Sequence, residues 1–110
     1  MTTKTDIKNS LKQIERYGGK LYTFNSNRYT GTGFNGFPDH IIFYKGYEIF
    51  IEVKIGKDKI SSEQIIFKNH IKEVTEKNPF VFYLVATENN YTLITEYLMQ
   101  ENIIQLRNFK

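Results

Sequence analysis

The chain has 110 residues, of which 40% are hydrophobic and 25% charged, and its formal net charge is +3. No apolar run approaches the ~20 residues of a membrane-spanning helix, and residues 1–6 lack the apolar segment of a secretory signal. The absence of cysteine excludes disulfides and thiolate metal sites, and two histidines make a zinc site a poor hypothesis. We therefore expect a single domain, residues 1–110, in the cytoplasm, with any metal held by carboxylates.

The first predicted element is a helix over Thr5–Tyr17. Ile7, Leu11 and Ile14 recur at the spacing of one helical face, and Gly18 supplies a stop. A basic ridge runs beside that face, formed by Lys4, Lys8, Lys12 and Arg16. Such a ridge is either an ordinary solvated helix surface or a set of phosphate contacts.

A short strand is predicted at Lys20–Phe24, followed by a polar loop at Asn25–Phe37. The loop contains G-x-G-x-x-G at Gly31–Gly36, a pattern that opens a helix in dinucleotide-binding proteins. Here Pro38 and an extended apolar run follow instead, so we reject a dinucleotide site. The loop, with Arg28 and its aromatic residues, is either a contact to a nucleic-acid groove or base, or a plain surface loop.

Two apolar strands follow at His40–Tyr44 and Tyr47–Ile55, and only Lys45-Gly46 separates them. A gap of two residues predicts an antiparallel hairpin with a tight turn. In that register Asp39 lies directly opposite Glu52, which places the two Cβ atoms ~5 Å apart.

The hairpin also places Lys54 on the same face as Glu52, because strand side chains alternate. Two carboxylates so close repel each other unless a proton or a cation lies between them, and a hard divalent cation suits oxygen ligands. The backbone carbonyl of Val53 is a further candidate ligand, and Lys54 is placed to orient a water or a phosphate oxygen. Alternatively, Asp39 only begins a turn, and Glu52 and Lys54 are solvent-facing charges of an edge strand.

The remaining elements complete an α/β pattern. Gly56–Lys59 is a basic loop containing Lys57 and Lys59. The elements after it are a helix at Ser61–Lys77 with a capping box formed by Ser61 and Gln64, a strand at Phe80–Ala86, a helix at Tyr91–Gln100, and a short strand or tail at Ile103–Phe109. The order α-β-β-β-α-β predicts a mixed central sheet flanked by helices.

The spacing Pro38-Asp39 and then Glu52-Val53-Lys54 resembles the signature of the PD-(D/E)XK nuclease superfamily. Gly36-Phe-Pro-Asp39 looks like the G-x-P-D motif of its virus-type replication-repair nuclease branch (VRR-NUC). Ile60-Ser-Ser-Glu-Gln64 is similar to the short loop and L-S-x-x-Q of that branch.

The resemblance implies a restriction-endonuclease-like core and a Mg²⁺-dependent DNA endonuclease, with Mn²⁺ as an alternative ion. In that family pattern, Asp39 and Glu52 bind the metal ion and Lys54 activates or orients the attacking water. Gln64 steadies the site, and Glu15 is the additional acidic residue of the first helix.

The resemblance also implies DNA as the partner. Small phage-type members pair as homodimers and cut branched DNA such as four-way (Holliday) junctions, which suggests a phage-encoded protein acting in its host cell. Candidate phosphate contacts are Lys4, Lys8, Lys12, Arg16, Arg28, Lys57 and Lys59. Two alternatives stay open: a homing or restriction-type endonuclease with a defined sequence, and a non-catalytic nucleic-acid-binding module with a nuclease-like fold.

Overall fold

The computed structural model describes residues 1–24 and 36–108, in which the main elements run helix, three strands, helix, strand, helix. The helices are α1 at Lys4–Leu11, α2 at Ser62–Lys77 and α3 at Tyr91–Met99. The strands are β1 at Lys20–Thr23, β2 at His40–Tyr44, β3 at Tyr47–Val53 and β4 at Val81–Ala86. Two 3-10 helices, Lys12–Tyr17 and Ile103–Asn108, follow α1 and α3.

The strands form one mixed sheet in the order β1-β2-β3-β4. β1 pairs with β2 and β2 with β3 in antiparallel fashion, whereas β3 and β4 are parallel. The parallel pair follows from α2, which is the crossover that returns the chain to the same end of the sheet. The predicted α/β class, with a mixed sheet between helices, is therefore confirmed.

Helices cover the two faces of the sheet unequally. The larger core lies between the sheet and the α1–α3 side and includes Ile7, Leu11, Ile14, Ile42, Ile49, Ile51, Val53, Phe82, Leu84, Ile94 and Leu98. On the opposite face, Phe67 and Ile71 of α2 pack against Ile41, Phe50 and Val81. The odd-numbered residues of β3 thus face the larger core, and its even-numbered residues face α2.

The β2–β3 hairpin has the predicted register. Tyr44 pairs with Tyr47 and His40 pairs with Ile51. Lys45 and Gly46 both have positive φ, 51° and 84°, as the two central residues of a type I′ turn require. The register is thereby fixed at both ends of β2. Asp39 directly precedes β2, so the same register also fixes its position.

α1 and α2 each begin with a capping box. Ser61 and Gln64 cap α2 as predicted, with each side chain bonded to the backbone N–H of the other residue. α1 begins one residue before its predicted start, because Thr3 and Asp6 form an equivalent capping box. This second box was not predicted from the sequence.

Two predicted elements differ in part from the structure. The helix over Thr5–Tyr17 is α-helical only to Leu11 and then continues as a 3-10 helix, although it stops at Gly18 (φ 94°) as expected. The C-terminal segment is a 3-10 helix rather than a strand, and its buried residues Ile103 and Leu106 are three apart. A spacing of three suits the three residues per turn of a 3-10 helix.

Two further expectations concern the membrane and the glycine motif. In the described part of the chain, no helix has both the length and the apolar character needed to cross a bilayer. The G-x-G-x-x-G motif lies, apart from Gly36, outside the described residues.

Candidate active site

A cleft of about 350 Å³ opens at the end of the sheet where β2 begins and β3 ends. Its walls come from α1, the end of β1, the hairpin strands and the first turn of α2. The lining residues are Lys4, Thr5, Lys8, Thr23, Phe24, Asp39, His40, Glu52, Val53, Lys54 and Gln64. The hairpin register and the α2 cap thus bring all the predicted catalytic and metal-ligating residues except Glu15 to one place.

Asp39 is held by backbone groups of both neighbouring strands. Its Oδ2 accepts a hydrogen bond from the Val53 N–H at 2.8 Å, and its carbonyl accepts one from the Phe24 N–H at 2.9 Å. The N–H and C=O of one strand residue point in the same direction, so the Val53 carbonyl also lies on the Asp39 side of β3. Asp39 and the Val53 carbonyl therefore offer oxygen atoms on one side of the cleft that could hold a metal ion.

Glu52 is the most deeply placed acidic group of the cleft, with 1% of its surface exposed. Burial and the adjacent Asp39 carboxylate raise the pKa of Glu52 to about 8, against the opposing charges of Lys54 and Lys4. Its Oε2 is buried and has no hydrogen-bond partner among the described residues. The hydroxyl of Tyr83 is also buried without a hydrogen-bond partner among the described residues. Burial raises the pKa of Tyr83, and so do the nearby charges of Glu52 and Asp39.

Hydrogen bonds to neighbouring backbone groups position Lys54 and Gln64 at the cleft. The Lys54 N–H donates to the Ala86 carbonyl at 2.9 Å, which extends the parallel β3–β4 pairing by one residue to the cleft. Gln64 is buried, and its Oε1 accepts from the Ser61 N–H at 2.8 Å. Capping thus occupies the side-chain oxygen of Gln64, which leaves its amide nitrogen for any interaction within the cleft.

The donor set of this cleft fits a hard divalent cation. Two carboxylates repel each other, and one buried carboxylate oxygen has no hydrogen-bond donor within the described structure. Within residues 1–24 and 36–108, no group of three or more acidic or histidine side chains is assembled for a metal. Two carboxylates, a carbonyl and water are nevertheless the kind of ligand set with which Mg²⁺ is commonly bound.

Glu15 is not brought to the cleft. It lies in the 3-10 helix after α1, and its Oε2 accepts from the Leu21 N–H at 3.2 Å. The change from α to 3-10 geometry at Lys12 alters the helical wheel on which its orientation was predicted. Its predicted role as a metal ligand or catalytic residue stays a prediction, without support from the lining of this cleft.

The basic ridge is divided by the same change of helix. Lys4 and Lys8 line the cleft, whereas Lys12 and Arg16 line a separate hollow with Glu15. Lys57 and Lys59 are exposed in the loop after β3 and do not line the cleft, and Arg28 lies outside the described residues. Of the predicted phosphate contacts, the described structure places Lys4 and Lys8 at the cleft.

Four lining residues were not predicted as site residues: Thr5, Thr23, Phe24 and His40. The His40 Nδ1 lies 3.1 Å from the Thr23 Oγ1, and burial lowers the pKa of His40. Lys4 forms an ion pair with Asp58 at 3.4 Å. The sequence signal for His40 was its place directly after Asp39, but alternation along β2 assigns it to the opposite face.

In comparison with known proteins, no family model matches this chain and no curated protein sequence matches it.

Proposed function

We propose that this chain is a Mg²⁺-dependent DNA endonuclease with a restriction-endonuclease-like core, in which Asp39, Glu52 and Lys54 form the active site. The proposal is carried by the cleft that these three side chains share, where Glu52 Oε2 is buried without a hydrogen-bond partner among the described residues. A carboxylate buried in this way carries a free-energy cost that bound cations offset.

Asp39, Glu52 and the Val53 carbonyl would hold the ion. A divalent ion in such a site lowers the pKa of bound water and neutralises charge that develops on a phosphate in the transition state. Lys54 adds a positive charge at the same edge, where it orients the attacking water or a phosphate oxygen. Gln64 fixes the first turn of α2 against the cleft through its capping bond to Ser61.

DNA phosphates would approach over the α1 side of the cleft. Lys4 and Lys8 line that side. Lysine contacts to phosphates position a strand without selecting its sequence. This arrangement favours an enzyme that recognises DNA structure over one that reads a defined sequence.

Branched DNA as the substrate and a homodimer as the working form are part of the proposal. Their support is the similarity of Gly36-Phe-Pro-Asp39 and Ile60–Gln64 to the VRR-NUC branch. Two copies would bring two active sites to two strands of a four-way junction.

The test is cleavage of a labelled four-way junction, a linear duplex and a single strand, with Mg²⁺, Mn²⁺ or EDTA. Asp39→Asn removes the charge and keeps an oxygen that can accept from the Val53 N–H, so the fold is expected to survive. Glu96→Gln removes an exposed carboxylate on α3 and is the control. We expect metal-dependent cutting of the junction by wild type and the control, and a loss of at least about 100-fold in Asp39→Asn.

Equal cutting of all three DNAs would keep the nuclease and contradict the preference for branched DNA. Folded protein that binds DNA and cuts none of the substrates with either metal would overturn the enzyme and favour the non-catalytic binding module.

A further inference from the structure

Exposed aromatic side chains lie along the β1–β2 edge of the sheet, on the face that α2 covers elsewhere. Tyr22, Phe43 and Phe24 are 52%, 46% and 38% exposed, and together we call them the aromatic strip. Tyr22 pairs with Ile41 and Lys20 with Phe43, so the Tyr22 and Phe43 side chains are diagonal neighbours on one face. Their ring centroids are 5.8 Å apart in an edge-to-face arrangement. The strip is therefore an ordered surface.

The strip is open because α2 lies over the other half of this face. The Phe67 ring of α2 contacts Phe50 on β3 and Tyr83 on β4, at centroid distances of 5.8 and 6.2 Å. Tyr22 and Phe43 lie beyond that contact, on the two strands farthest from β4. Adjacent exposed rings on a protein surface mark a binding site more often than scattered single ones do.

The strip leads directly into the cleft. Phe24 lines the cleft and also contacts Phe37 edge-to-face, at a centroid distance of 4.9 Å. Lys20 is exposed on the same face as Phe43, and Lys4 and Lys8 line the cleft itself. The rings thus lead from Lys20 at one end to the cleft with Lys4, Lys8, Asp39 and Glu52 at the other.

That combination matches a single-stranded polyanion with exposed bases. Aromatic rings stack on bases of any sequence, and lysines attract the phosphates between them. A duplex keeps its base faces stacked inside, so it offers no partner to the rings. A second copy of this chain is less complementary to the strip. A symmetric contact would place Lys20 of both copies in the same interface. Each chain also carries a net charge of +3, so the two copies would repel each other.

We infer that the aromatic strip binds unpaired nucleotides of a DNA strand whose adjoining phosphate enters the cleft. This inference rests on the proposed function for the role of the cleft, and it specifies the substrate as DNA with a single-stranded segment beside the cleavage point. Flaps, forks and frayed ends offer such a segment, and a four-way junction offers one where base pairs open at its branch point, whereas a fully paired linear duplex does not.

The test is equilibrium binding, by fluorescence anisotropy in EDTA, of a labelled oligo-dT and of a GC-rich, blunt-ended linear duplex of equal length. Tyr22→Leu and Phe43→Leu remove a ring each, Tyr22→Phe keeps the ring, and Tyr17→Leu removes an equally exposed tyrosine outside the strip. We expect Tyr22→Leu and Phe43→Leu each to weaken single-strand binding by about tenfold and to leave duplex binding within about twofold. Tyr22→Phe and Tyr17→Leu should bind as wild type does.

Single-strand binding that is equal in Tyr22→Leu, Phe43→Leu and Tyr17→Leu would overturn the inference. So would a dimer, seen by sedimentation, that is lost in Tyr22→Leu and Phe43→Leu while single-strand binding stays intact, since the strip would then be a contact between copies. Circular dichroism confirms that each variant is folded, and if one leucine variant is not, the other leucine variant carries the test.

The assay uses no metal and no cleavage, so it is independent of the proposed function. If binding depends on the rings but the protein never cuts DNA, the proposed nuclease activity is refuted and the binding role of the strip is supported. If the protein cuts DNA with metal but binding does not depend on the rings, the binding role of the strip is refuted and the nuclease activity is supported.

Discussion

At the scale of single residues, Glu52 combines near-complete burial with a carboxylate neighbour. Burial disfavours its charged form, and Asp39 disfavours it further, so the pKa of Glu52 rises from 4.5 to about 8. In the absence of a cation, the folded protein therefore takes up a proton that the unfolded chain releases near pH 4.5. The stability that this proton provides is fully present below pH 4.5 and is lost as the pH rises to about 8.

Replacement of Glu52 by glutamine is expected to remove this pH dependence. In EDTA, the free energy of unfolding of Glu52→Gln should rise relative to that of wild type as the pH increases from 4.5 to about 8. The relative change should reach up to about 5 kcal/mol. Urea unfolding across that window measures the difference, with Glu96→Gln as the exposed control. A difference between Glu52→Gln and wild type that stays constant over the window would contradict the assigned burial and charge environment.

The residues of the site were predictable to different degrees. Asp39, Glu52 and Lys54 could be grouped from sequence because a two-residue turn fixes the hairpin register and alternation then fixes the face. Glu15 could not be placed, since its position depends on where α-helix gives way to 3-10 helix. His40 was missed because the end of a sheet lets residues from both faces reach one cleft, which alternation alone does not show.

At the scale of elements, the C-terminal 3-10 helix fixes the end of α2. The Arg107 guanidinium donates hydrogen bonds to the carbonyls of Thr75 and Asn78, at 3.0 and 2.8 Å, and to that of Val81 at 3.3 Å. It also lies over the Phe82 ring, 4.2 Å from the centroid. One side chain thereby satisfies carbonyls at the end of α2 and joins them to β4.

Arg107→Lys should destabilise the fold by about 1–2 kcal/mol, because an ammonium keeps the charge but cannot make the forked set of bonds. Chemical denaturation measures this loss. Lys77→Gln removes the exposed ion pair with Glu73 and should change stability by less than about 0.5 kcal/mol. Equal stabilities of Arg107→Lys and wild type would show that the Arg107 contacts do not stabilise this end of the molecule.

Local signals of turn and cap chemistry predicted the hairpin and the start of α2, because the residues that decide them are adjacent in sequence. The C-terminal segment was predicted as a strand or tail because Ile103–Phe109 is short and apolar, and short runs do not distinguish strand from helix. What decides it is tertiary: Ile103 and Leu106 both enter the larger core, which requires a period of three. Sequence periodicity over six residues could not show which core was available.

At the scale of the whole molecule, a modest net charge of +3 is distributed unevenly. Lys4, Lys8 and Lys54 line one cleft around two carboxylates. If the proposed function holds, positive charge there attracts the DNA phosphates and releases their counterions, so DNA binding should weaken as salt rises. The overall charge alone would not have identified this face.

The contribution of Lys8 can be measured from that salt dependence. Lys8→Gln should lower the magnitude of the slope of log K against log salt by about 1, because one phosphate contact is lost. Lys72→Gln removes an exposed lysine of α2, which pairs with Glu76 and does not line the cleft, and should leave the slope unchanged. A slope for Lys8→Gln that equals that of wild type would exclude Lys8 as a phosphate contact.

The measurement that tests the central claim most directly is the single-turnover rate of cleavage of one labelled four-way junction as Mg²⁺ is titrated from none to saturation. Wild type, Glu52→Gln and Glu96→Gln are compared side by side. We predict a rate that is zero in EDTA, saturates with Mg²⁺ in wild type and Glu96→Gln, and falls at least about 100-fold in Glu52→Gln. Cleavage that persists in EDTA, or that Glu52→Gln performs as fast as wild type, would contradict a metal-dependent active site at Asp39 and Glu52.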